Sequence, residues 1–424
     1  MLKQISNSLR ILFFLSAYTV GNQLFNLFSN RLLLNHLSLE TFGILNLFLF
    51  WSTVWSILAG LGINFSYNYF YTKNKVKSSS YILPNYLLVY IFSTFLLWVF
   101  GFIANGLVFS WHIFCISIFG FSLGILAFAN TYFVVNKKQI VYSIYNLILS
   151  FVLFFLLYLG KSFYDDQKLL QFRVFSIVSV YSIFAIILIY FFKLKLSYVR
   201  ITKVRVFVKI GIPFSSLLLL NFLLPNINKI FVQKFIGIDG VGVYSFCLSI
   251  PLMTIILNDC IANLLNPKIL DAIKVQSYKR AKELVNYSFF IYFAIVLLTT
   301  LFLKPIILVL AGAKFLQYEQ LCNYLLVCFV WSYFIKVEFF LRQSTGQVVP
   351  YLLLTIMSNL VIYLTYFSVV ITKTLSNIAW AYLLSSIVCI CSFFLYSYIK
   401  KNCIYASQIV FFLAILLSFF ILLK

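Results

Sequence analysis

Apolar residues fall in blocks of roughly twenty along most of the chain, bounded by short charge clusters or turn residues rather than by long polar stretches. A helix rises about 1.5 Å per residue and the hydrocarbon core of a bilayer is about 30 Å thick, so blocks of this length are membrane spans. They predict helices near 9–30, 42–64, 81–104, 107–135, 140–160, 173–192, 210–231, 243–264, 287–311, 321–342, 349–371, 376–399 and 405–423. The first run follows Lys3 and Arg10 as a signal peptide would, but it stays apolar to Phe28 without a small-x-small cleavage site and is expected to be retained. The expected fold class is all-α: a polytopic membrane protein of twelve core transmembrane helices, forming two six-helix lobes around a central cavity. Residues 405–423 form a thirteenth apolar segment that either crosses the bilayer or lies along its interface.

Composition strengthens this picture. Of 424 residues, 63% are hydrophobic and 10% charged, against about 25% charged in soluble domains, which excludes a soluble globular enzyme. The formal charge of +23 sits in short clusters between apolar runs, not on one continuous basic face, so nucleic acid is not an expected partner. With the N-terminus inside, the cytoplasmic side collects Lys73, Lys75, Lys77, Lys137, Lys138, the basic residues of 193–209, those of 268–282, and Lys400 with Lys401. The acids Glu40, Asp165, Asp166, Asp239 and Glu319 fall outside. The basic stretch 193–209 reads as a linker, dividing the chain into an N-terminal lobe over 1–200, a C-terminal lobe over 201–400 and an extra apolar segment over 401–424. Eight cysteines without a C-x-x-C pair, and two histidines, His36 and His112, offer no metal site. No cofactor is expected.

An internal repeat is legible. Asn30, Arg31 and Asn35 ahead of Phe42–Ile44 parallel Asn228, Lys229 and Gln233 ahead of Val241–Val243 across a one-residue gap, and Gln23 matches Asn221 at the first offset. Six spans separate the copies, so both enter the membrane in the same direction. Asn22, Asn26 and Asn30 recur every four residues and share one helical face, either as a solvated wall or as hydrogen-bond partners of neighbouring helices. Gly120 and Gly124 read as helix packing.

Charged groups in or near spans point to a substrate path. Arg31, Lys229 and Lys304 lie toward outer helix ends, Lys336 and Arg342 toward a cytoplasmic end. Such cations attract phosphate, and with Asn22, Asn26, Asn30, Asn221 and Asn228 they form the candidate set for an anionic headgroup and its sugars. The alternative is snorkelling to the headgroup layer. Pro213, Pro225, Pro251 and Pro305 interrupt helices. Asp259 and Glu338 are the carboxylates inside predicted spans and the candidates for coupling to a proton or sodium ion; Glu338 also stands four residues before Arg342, an ion-pair spacing. No Ser/His/Asp set or phosphate-cradling Gly-rich loop is present.

Several segments resemble one family in order and spacing: Leu37–Ile44 (LSLETFGI), Gly60–Gly62, Gly211–Phe214 (GIPF) and Gly237–Tyr244 (GIDGVGVY), followed by Asn266 with Pro267, Leu310–Phe315 (LAGAKF) and Arg342–Gly346 (RQSTG). The chain is similar to the Wzx-type O-antigen and polysaccharide flippases of the MATE-like multidrug/oligosaccharidyl-lipid/polysaccharide exporter superfamily. The resemblance implies a multi-pass protein of the bacterial inner membrane, not an enzyme. It implies that undecaprenyl-pyrophosphate-linked oligosaccharide repeat units are translocated by alternating access for O-antigen or capsular polysaccharide synthesis. Implied partners are that carrier, membrane lipids, a polysaccharide polymerase and a chain-length regulator. The alternatives are a MATE-like drug or cation antiporter, which would be expected to carry cavity acids, and a membrane-embedded glycan polymerase or ligase, which would be expected to present a sizeable outer loop.

Overall fold

The structure, a computed structural model, describes residues 2–62, 82–104, 110–135, 138–192, 201–254, 269, 278–326, 356, 374–380 and 391. Every regular element among them is helical. In chain order these are α1 (Leu2–His36), α2 (Leu39–Gly60), α3 (Ile82–Ala104), α4 (Trp111–Val135), α5 (Gln139–Gly160), α6 (Asp166–Phe191) and α7 (Ile201–Asn226). There follow α8 (Asn228–Phe235), α9 (Ile238–Thr254), α10 (Tyr278–Leu301), α11 (Leu303–Ala311) and a 3-10 turn at Ala313–Tyr318. Six of these helices, α2 to α6 and α10, are long and apolar enough to cross a membrane. Their outward faces carry large apolar side chains, among them Ile91, Phe95 and Phe100 on α3 and Phe175, Ile186 and Tyr190 on α6, an arrangement that suits lipid and not water.

Contacts group Met1–Asn226 into one compact unit and Ile227–Lys424 into a second. By contacts the first unit continues through α7. The reason is a seam between α7 and α2. Phe50 and Phe222 stack with centroids 5.7 Å apart, and Ser215 donates its hydroxyl to the Ile57 carbonyl at 3.0 Å. At the end of α2 the backbones themselves meet: a Cβ on Gly62 would lie 2.1 Å from the Gly211 oxygen, and one on Gly211 would lie 2.4 Å from the Leu61 oxygen. Gly62 also has φ +66, following Leu61 at φ 43, a turn that a side chain strains. Two segments quoted above for the family resemblance, Gly60–Gly62 and Gly211–Phe214, are therefore partners in space.

The interior of the first unit is built on α2, α3 and α4. Gly120 and Gly124 leave α4 bare: Ser52 and Trp55 of α2 close on Gly120 and Tyr90 of α3 closes on Gly124. Tyr90 donates to the Gly120 carbonyl at 2.7 Å and Tyr86 to the Gly124 carbonyl at 2.9 Å, while the Tyr86 ring stacks on Phe128 at 4.5 Å. A Cβ on Gly124 would fall 2.0 Å from the Tyr90 oxygen. These buried phenols satisfy their hydroxyls on helix carbonyls, as a low-dielectric interior requires.

Interruptions fall near the prolines. The helix expected over 210–231 breaks at Ile227, two residues after Pro225, and that over 287–311 breaks at Phe302. Pro305 lies in the first turn of α11, where its missing N–H is not needed. Pro213 and Pro251 instead lie within α7 and α9.

Candidate functional site

The repeat seen in the sequence is a repeat of structure. In the first copy α1 ends at His36, Leu37 and Ser38 turn the chain, and α2 begins at Leu39. Ser38 is the N-cap, accepting from the Thr41 N–H at 3.2 Å. Asp166, the first residue of α6, fastens this turn from outside the repeat: its carboxylate accepts from the Ser38 N–H at 2.9 Å and from the Thr41 hydroxyl. In the second copy α8 ends at Phe235, Ile236 and Gly237 turn the chain, and α9 begins at Ile238. Here Gly237 has φ +112 and donates to the Val232 carbonyl at 3.0 Å.

Around the second turn the candidate residues are buried. Asn228 is fully buried, and its amide donates to the Tyr244 hydroxyl of α9 at 2.9 Å. Lys229 follows, 7% exposed, and forms no ion pair among the described residues. The local sequence explains this: α8 packs Asn228, Lys229 and Val232 inward at helical spacing.

Around the first turn the corresponding groups are more open. Arg31 and Asn26 are exposed and Asn30 is half-buried. Asn22 accepts a hydrogen bond from the Ser150 hydroxyl of α5. The face of α1 that carries it meets α5 through Gly21 against Leu147 and through Phe25, whose ring lies 5.4 Å from Phe151. Asn22 is thus engaged with a neighbouring helix. Elsewhere, Lys304 is exposed and pairs loosely with Glu319 at 3.7 Å, a surface pair of little strength. Asn221 lies on α7. Lys336, Arg342, Asp259 and Glu338 lie outside the described residues.

One buried cation escaped the sequence reading. A sixth span set at 173–192 puts Arg173 at its first residue. The helix in fact begins at Asp166, which carries Arg173 two turns in and leaves it 8% exposed. The signal was the acidic pair Asp165 and Asp166, suited to a helix N-terminus.

No protein-family model matches the chain, and no curated protein does. Solved structures do. An inward-facing MATE-family multidrug-resistance transporter of the MOP superfamily matches at 13% identity over 93% of this chain and 99% of that one, with a TM-score of 0.62. A MATE transporter in complex with MaD5 matches at 15% identity over 94% and 96%, with a TM-score of 0.64. A MOP-superfamily transporter from Pyrococcus furiosus, described as having a binding pocket of reverse polarity, matches at 14% identity over 93% and 96%, with a TM-score of 0.64. At such identities the likeness is one of fold. The chain is a polytopic, all-helical membrane protein with the fold of MATE and MOP-superfamily transporters.

Proposed function

We propose that this protein is a lipid-linked oligosaccharide flippase, which carries undecaprenyl-pyrophosphate-linked repeat units from the cytoplasmic to the outer leaflet of the bacterial inner membrane for O-antigen or capsular polysaccharide synthesis. The observation that carries the reading is Lys229, a buried ammonium with no carboxylate in ion-pair range among the described residues. A buried cation repels a cationic drug and favours a phosphate-bearing cargo. The transporter fold supports movement of cargo rather than its chemical conversion. The polarity described for the Pyrococcus furiosus neighbour supports treating fold and cargo charge as separable.

Deleting the gene tests the proposal. Lipid-linked repeat units are expected to accumulate at the inner leaflet while surface polysaccharide disappears. Single units displayed outside would indicate a polymerase instead, and unchanged glycan with raised drug sensitivity would indicate a drug exporter; either result overturns the flippase reading.

A further inference from the structure

Among the described residues no carboxylate pairs with Arg173. Arg173 lies seven residues into α6, about 10 Å along the axis from the helix start, and is 8% exposed. Its Nη1 donates to the Leu153 carbonyl of α5 at 2.8 Å. Nε is buried without a hydrogen-bond partner, and among the described residues the guanidinium makes no other hydrogen bond. Residues 1–226 contain three carboxylates, Glu40, Asp165 and Asp166. Glu40 and Asp165 are exposed, Asp166 is engaged by Ser38 and Thr41, and none pairs with Arg173. A buried charge without a counter-charge is strongly disfavoured within a membrane span.

The pattern of used and unused donors defines what fits. With Nη1 committed to a carbonyl, the Nε and Nη2 edge remains, two parallel N–H donors that match two oxygens of one oxyanion. Further polar groups gather around the same part of the unit. Ser150 stands three residues before Leu153 on α5, hence on the same face, and is bonded to Asn22 of α1. The geometry points to an oxyanion site of phosphate type inside the first unit, held by the side-on edge of Arg173 between α5 and α6. This assignment stands apart from the cargo proposed above, because it rests on residues of the first unit alone.

The test uses the full chain purified in detergent micelles, with thermal unfolding followed against added ligand at matched ionic strength. Sodium phosphate and a micelle-borne polyprenyl phosphate are the two probes, and sodium chloride is the control. Saturable stabilisation by phosphate beyond chloride is expected, and Arg173→Gln should remove it. Arg173→Lys keeps the charge but loses the fork, and should bind about tenfold more weakly. Stabilisation by the polyprenyl phosphate alone supports the site and identifies a lipid headgroup as its source. Stabilisation by neither probe overturns the proposal, as does full retention in Arg173→Gln. If Arg173→Gln fails to accumulate, unchanged affinity in Arg173→Lys overturns it.

Discussion

Arg31 and Lys229 hold matching places in the repeated sequence and opposite places in the structure. Arg31 is exposed and Lys229 is buried. The difference is one residue of register. From its Asn, α8 runs one residue further to its turn than α1 does, and one residue turns a helix face by about 100°. Counted back from the turns, Lys229 matches Asn30 and Asn228 matches the buried Ser29. The two turns differ as well. The first is fastened by a capping serine and by Asp166 from another helix; the second relies on a glycine whose backbone no side chain tolerates cheaply. A repeat therefore conserves the backbone plan while one added residue moves a cation from the surface to the interior.

The most severe way to break this comparison is to restore the first copy's spacing in the second. Deleting Ile230 should rotate Asn228 and Lys229 out of burial and abolish surface glycan, measured at matched protein abundance. Lys229→Ala, which leaves the register intact, should lower glycan export about tenfold, roughly the worth of one charge-assisted contact. The turns sharpen the contrast in stability. Asp166→Asn should cost about 1–2 kcal/mol, from two weakened hydrogen bonds, and Gly237→Ala about 1 kcal/mol from backbone strain. Both are read as shifts in thermal unfolding. Arg31→Ala should have the smallest effect, within about twofold of wild-type export, because an exposed cation is well solvated. An Arg31→Ala loss as large as that of Lys229→Ala would erase the distinction.

The helical plan was legible because the period of apolar blocks and the charged bounds of each span are strong local signals. The turns were less so: they fall between expected spans, but the helix before each runs on, to His36 where the span ended at 30 and to Phe235 where it ended at 231. Side-chain burial was not legible. The repeat pairs Asn-Arg with Asn-Lys by residue type, and that pairing runs one residue out of step with the helix ends. Arg173 was missed for a related reason: moving a helix start by seven residues changes a rim cation into an interior one. The partnership of Gly62 with Gly211 is invisible along the chain, since nothing local in either segment names its partner 149 positions away.

The contact between α2 and α7 where both lack side chains has a mechanical corollary. Two helices that touch through bare backbone and a shared hydroxyl bond have no rotamers to repack at that point, so they respond to a pull as a single strut. A pull on α7 at this point is then passed straight into the end of α2.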